Sequence, residues 1–223
     1  MVRATVGHIT VLGWDRDQLH VEIERRAPTV AGLTRMEATV ITSSDGRQVT
    51  ISASQHAAAD SDNEAKGTND ATLESTLTVY APRETRFAAI DLFEGGITLK
   101  DLRGPIMATV TRGGITADAL DGPARLETTI GDIRVTEAGP LKSPLHMRAF
   151  NGNLRMRLLT TPRDARILAL SLGGQIASTI PLTRKTAFGP QHASASFGTG
   201  EPMIALDTVN GDIKIDTSRD LTR

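Results

Sequence analysis

Between residues 96 and 158, apolar and polar side chains alternate in short runs, and the runs recur. Ile97-Thr98-Leu99 is followed by Ile106-Met107-Ala108-Thr109-Val110, then by Ile115-Thr116-Ala117 and Ile133-Arg134-Val135. Alternation with period two predicts half-buried strands. The isoleucines 97, 115 and 133 are 18 residues apart, and Gly104-Pro105, Gly122-Pro123 and Gly139-Pro140 punctuate the intervals. A fourth copy, Gly152-Asn153-Leu154-Arg155-Met156, follows after Leu141-Lys142-Ser143-Pro144 has absorbed extra length, and Asn210-Gly211-Asp212-Ile213-Lys214-Ile215 echoes it near the end.

A unit with two such runs cannot bury its apolar face alone, but stacked copies can. Stacking at constant period makes neighbouring strands parallel, about 4.8 Å apart. The expected fold is all-β: a parallel β-solenoid with coils of about 18 residues. Its inward ladder reads Ile97/Ile115/Ile133, Leu99/Ala117/Val135, Leu102/Leu120/Ala138 and Ile106/Ala124/Leu141, with Ala108/Leu126 and Val110/Thr128 continuing the second strand. Thr98/Thr116/Arg134/Arg155 and Lys100/Asp118/Thr136/Arg157 point outward. A slip of one residue would bury the arginines, so the pattern fixes the register.

Outside the repeats the signals change. Ile9 to Trp14 and Leu19 to Glu24 read as strand, turn, strand, and Ser44-Asp45-Gly46 joins Ala38–Ile41 to Val49–Ser52 as a hairpin. Residues 55–71 are small and polar and read as a mobile loop; Leu73 to Tyr80 alternates again. Antiparallel strands here would cap the N-terminal end, where an open edge invites aggregation. Leu168–Gly174 and Ile176–Ile180 read as short strands, Thr183 to Gly200 as loop, and Met203 to Ile215 as the last strands; Val30 to Met36 has room for one helical turn. The reading is one domain over 1–223: capping strands in 1–90, regular coils in 91–160, irregular coils in 161–223.

Composition narrows function. Of 223 residues 39% are apolar, yet only 3% are aromatic, with Trp14 and Tyr80 single, and there is no cysteine. A thin core of Ile, Leu, Val and Ala explains the shortage of rings. Lack of Cys excludes disulfides and thiol chemistry. Residues 1–96 carry a net charge of 9 − 14 = −5 and residues 97–223 a net of 16 − 12 = +4. That is far from the footprint of a nucleic-acid binder, and few rings are present to stack on bases. No run of about 18 apolar residues predicts a membrane span. Val2 to Val6 enters strand pattern without a signal-peptide core, which leaves a cytoplasmic chain and a trimmed mature chain both open.

The Gly-x-Ile units, the opening Gly7-His8-Ile9-Thr10-Val11-Leu12-Gly13-Trp14-Asp15, the Leu77-Thr78-Val79-Tyr80-Ala81-Pro82 step and the closing Thr208-Val209-Asn210-Gly211-Asp212-Ile213 together resemble the bacterial "putative adhesin" domain family of unknown function. The resemblance covers nearly the whole chain. It implies a right-handed β-solenoid, a location outside the cytoplasm or in the cell envelope, and no assigned catalytic residue.

Candidate chemistry is sparse. The histidines at 8, 20, 56, 146 and 192 lack metal-ligand spacing, and Ser194-Ala195-Ser196-Phe197-Gly198 lacks the first glycine of a nucleophile elbow. Asp101, Asp118, Asp121, Asp132 and Asp212 recur near turns, where Asp is ordinary turn chemistry; calcium needs 6–8 oxygens. Neither a metal, a cofactor nor a catalytic residue is expected. The remaining surface feature is the basic ladder Arg134, Arg155 and Arg157, extended by Arg148, which suits an acidic glycan, teichoic acid or a phospholipid head group, and which also serves as a solvated face. Trp14 is expected to cover the core at the capped end. The leading expectation is a non-enzymatic envelope scaffold or adhesin-like domain, with an envelope protein, an anionic glycan or a lipid surface as partner. A β-helix enzyme on acidic polysaccharide, or an envelope-stress sensor, is the alternative.

Overall fold

The computed structural model describes residues 1–55, 73–137, 139–185 and 189–217. Among the described residues, eighteen strands form one hydrogen-bonded sheet. In chain order they are β1 (Val2–Trp14), β2 (His20–Arg26), β3 (Met36–Thr42), β4 (Val49–Gln55), β5 (Glu74–Pro82), β6 (Phe87–Leu102), β7 (Ile106–Arg112), β8 (Ile115–Leu120), β9 (Ala124–Ile130), β10 (Ile133–Glu137), β11 (Leu145–Asn151), β12 (Leu154–Leu158), β13 (Ala165–Ser171), β14 (Ile176–Ser178), β15 (Thr183–Lys185), β16 (Gln191–Phe197), β17 (Met203–Asn210) and β18 (Ile213–Thr217). The one helix among the described residues, α1 (Val30–Thr34), is a single turn capped by the Thr29 hydroxyl.

The strands form two walls around one core. The first half of β6 pairs with β7 and the second half with β8, so the long strand turns from one wall into the other. β1 does the same, meeting β4 through Val2–Ala4 and β5 through Gly7–Trp14. The three isoleucines meet in register: Ile97 faces Ile115, which faces Ile133. Ile9, Leu77, Leu154 and Ile213 extend that column, and all are buried.

Glycine recurs because the turn between walls stacks backbone on backbone. A Cβ on Gly113, whose φ is +130°, would lie 1.7 Å from the carbonyl oxygen of Gly95. Gly152 stands in the same relation to Gly131, at 1.7 Å. Beside this corner, buried hydroxyls satisfy the glycine carbonyls: Thr128 donates to Gly113 at 2.8 Å, Thr208 to Gly152 at 2.9 Å and Ser171 to Gly211 at 2.8 Å. Burial of these polar side chains is thereby offset by hydrogen bonds.

Spatial order departs from chain order at both ends. β1 lies between the β4/β5 layer and β6. Likewise β17 and β18 lie between the β11/β12 layer and the β13/β14 layer, parallel to both. The last echo of the repeat is therefore an inserted layer. Antiparallel strands close the ends: β2 on β5 and β3 on β4 at one, β16 on β13 and β15 on β16 at the other.

β5 lies between β1 and β2 and pairs with both. Three expectations are corrected. Leu145, not Leu141, continues the Ile106/Ala124 column. The reason is that Pro144, whose carbonyl accepts from Ala124 N–H at 3.0 Å, occupies the place held by Pro123 in the layer before. The segment read as loop contains β15 and β16. Trp14 does not cover the core; it lies half-buried on the outward side of β1, where Ile9 and Val11 take the inward positions. Ala138 and residues 56–71 of the expected loop lie outside the described residues.

Candidate recognition face

The outward side of the second wall carries the predicted ladder. Its central column runs Thr78, Thr10, Thr98, Thr116, Arg134, Arg155, Lys214 across β5, β1, β6, β8, β10, β12 and β18. The next runs His20, Tyr80, Leu12, Lys100, Asp118, Thr136, Arg157, Asp216. Alternation with period two forces both columns outward. The structure thus brings Arg134, Arg155 and Arg157 together. It places Arg148 elsewhere, on β11 of the first wall between Glu127 and Asp207, because residue 148 belongs to the strand before the glycine corner.

Lys214 is a fourth basic member that sequence reasoning passed over. The signal was present: Lys214 follows Ile213 as Arg134 follows Ile133. The cations are partly paired. Arg134 meets Asp132 at 2.7 Å, Arg155 meets Asp216 at 3.1 Å and Lys214 meets Asp216 at 3.4 Å. Arg134, Arg155 and Lys214 keep 57%, 44% and 52% of their side chains exposed. The Arg134 pair is largely exposed and contributes only about 0–1 kcal/mol, so a multivalent anion competes with it readily, whereas Asp216, only 13% exposed, is shared by Arg155 and Lys214.

The far end of the same face holds the chain's single Trp and single Tyr. Trp14 and Tyr80 have ring centroids 5.4 Å apart, and His20 closes a triangle at 6.3 and 5.7 Å. The Arg16 guanidinium lies 5.0 Å from the Trp14 ring, and the indole N–H donates to the Gln18 carbonyl at 2.8 Å. Asp15 accepts two bonds from Arg83, at 2.9 and 3.3 Å. Outward parity links Trp14 to Leu12 and Tyr80 to Thr78, and this was the readable sign that both rings leave the core.

Two of the corner aspartates, Asp132 and Asp212, serve the backbone. Asp132 accepts from the Asn153 N–H at 2.9 Å, Asn153 from Asp212 N–H at 2.9 Å, and Asp212 from Gln175 N–H at 2.8 Å. This is a ladder of side-chain caps passed from layer to layer. Asp121 takes Lys142 at 3.0 Å, and Asp101 adopts a positive φ of 55° at its turn. Asp118 is the Lys100 and Thr136 neighbour in the outward column. Among the described residues these side chains do not gather into a group of three able to hold a metal ion. His146 meets Asp207 at 2.8 Å on the first wall, and Ser194 and Ser196 lie along β16. Glu137, at the end of β10, is the buried exception: burial pushes its carboxyl up to about 7, against the opposing effect of the Leu120 N–H, with Asp121 and Asp118 adding to the rise.

No protein-family model matches the chain, and no curated protein matches it. Among solved structures, a "putative cell adhesion protein" from Clostridium sporogenes ATCC 15579 superposes with a TM-score of 0.51 at 10% identity, over 97% of this chain and 90% of that one. A "putative adhesin" from Bacteroides fragilis NCTC 9343 gives a TM-score of 0.27 at 13% identity, over 97% and 90%. The Clostridium structure shows a shared all-β fold. No helix among the described residues is long and apolar enough to cross a membrane.

Proposed function

We propose that this chain is a single non-catalytic, adhesin-like surface domain of the cell envelope, built as a right-handed β-solenoid of about 18-residue coils, and that its second wall binds an acidic polysaccharide. The carrying observation is the in-register column Arg134, Arg155, Lys214 with Arg157 beside it. At about 4.8 Å per layer, three cations fall within about 10 Å, a spacing suited to successive charges on an extended polyanion. Tyr80 lies five layers from Arg157 on the same column, about 24 Å away, so the face offers rings at one end and cations at the other. The structural likeness to one protein described as a "putative cell adhesion protein" supports the reading through fold.

The test is binding of polygalacturonate to the parent and to Arg155→Glu/Arg157→Glu. The parent should bind with an affinity that falls as salt rises, and the variant should lose most of it. Equal binding by the two proteins would remove the proposal. Release of new chain ends from the polymer would instead identify an enzyme.

A further inference from the structure

The first wall carries a feature of a different kind. An open groove of about 520 Å³ crosses its outer side from β6 to β17, floored by Met107 and Ala205 and edged by Pro105, Pro123 and Pro144, with Met203 at the far side. A second cavity, about 540 Å³, opens toward the N-terminal cap between Leu19, Val49, Ile51 and Val79. Arg86, Phe87 and Ala88 line both. The pairing of β6 with β7 slips between Phe87 and Ile90, so a β-bulge lies at the junction of the two spaces. Bulges commonly redirect a side chain at a site.

We propose that this junction binds an acyl lipid with an anionic headgroup, the head on Arg86 and the hydrocarbon along the proline-edged groove. Charge supports the head. Arg125 at the groove is held by Glu127 at 2.6 Å, and His146 by Asp207 at 2.8 Å. Arg86 is exposed and has no ion pair among the described residues, so its guanidinium is the groove's uncommitted cation. Arg47 and Asp17 both line the second cavity, so its own charge is mixed and Arg86 is the cation common to the two spaces.

The rim favours hydrocarbon over peptide. A peptide strand needs backbone donors and acceptors along an edge. Here Pro105, Pro123 and Pro144 have no N–H, and their carbonyls are already taken by Phe87, Ile106 and Ala124 at 2.9, 2.9 and 3.0 Å. What remains is apolar, with Met107 and Met203 exposed to 42% and 47%. Flexible thioethers suit a chain without fixed shape. Five strands span the groove, giving about 19 Å of track.

Calorimetry with dodecyl phosphate below its micellar concentration tests the proposal. The parent should bind with a Kd on the order of 10 μM, 1-dodecanol about tenfold more weakly, and inorganic phosphate not measurably. Arg86→Gln should weaken dodecyl phosphate about tenfold and leave dodecanol unchanged, whereas Met107→Asp should weaken both alkyl ligands about tenfold. Both positions are exposed, so each variant should melt with the parent. Arg155→Glu/Arg157→Glu should bind dodecyl phosphate normally, which keeps this site separable from the glycan face. No binding by the parent, equal binding by Arg86→Gln, competition by inorganic phosphate, or preference for an acidic peptide over dodecyl phosphate would each overturn it.

Discussion

Replacing Gly113 by alanine tests the backbone-on-backbone corner at one of its tightest points. The new methyl carbon would begin 1.7 Å from the Gly95 oxygen and 2.7 Å from its carbonyl carbon. Neither atom is the end of a flexible side chain, so the layers themselves must part. The residue also keeps a φ of +130°, which costs a non-glycine residue about 1–3 kcal/mol before any clash. Displacing hydrogen-bonded backbone adds to this, including the Thr128 bond to Gly113 and the Gly113 N–H bond to Ile130 at 2.7 Å. A loss of about 3–5 kcal/mol follows, which for a domain of this size lowers the melting temperature by about 6–20 °C. Gly139→Ala is the control, because a Cβ there meets nothing within 4 Å. It should be neutral or stabilise by about 0.4–1 kcal/mol through the unfolded chain. Urea unfolding with a constant m-value measures both. A Gly113→Ala midpoint within error of the parent would show that the layers have room for a side chain, and the account of the repeated glycine would fail.

Thr128→Val keeps the shape but leaves the Gly113 carbonyl without its hydroxyl donor, so stability should drop by about 1 kcal/mol in the same assay. Asn153→Ala interrupts the cap ladder at the Asp212 N–H and should cost about 1 kcal/mol, with faster hydrogen exchange at that amide as the specific sign. Glu137 sets a pH dependence. Burial raises its folded pKa to about 7 from the ordinary 4.5, so between these values the native state binds more protons than the unfolded one. Stability should therefore be greatest below about pH 4.5 as far as this group is concerned, fall toward pH 7, and level off above it, by about 3 kcal/mol in all. Glu137→Gln should flatten that slope and raise stability at pH 8; an unchanged slope would mean that another group titrates.

The pairing of the central strands was legible because the sequence pattern recurs. Ile97, Ile115 and Ile133 reveal both their burial and their pairing, since a constant period leaves one sensible register. The insertion of β17 and β18 was not legible. Ile213 matches Ile133 and Leu154 equally well in local pattern, and its partner depends on which layer the 165–178 segment leaves vacant. The C-terminal cap was hidden for a different reason. Thr183–Lys185 is exposed throughout and shows no alternation, so only its pairing with β16 makes it a strand. Of the candidate face, the three arginines were readable from parity. The aromatic triangle required knowing that β5 separates β1 from β2 and thereby sets Tyr80 between Trp14 and His20.

The placement of β17 and β18 bears on how the chain can be shortened and how it is synthesised. In a simple stack, removing the last layer trims an end. Here, deletion of residues 203–217 would excise a slab from the middle, leaving β13 and β14 facing β11 and β12 across a missing layer. A ribosome-bound chain that has emerged only through residue 200 is in that condition: its terminal cap is made before the layer it must rest on. β1 at one side and β17 with β18 at the other thus act as keystones, each locking a cap made of other sequence.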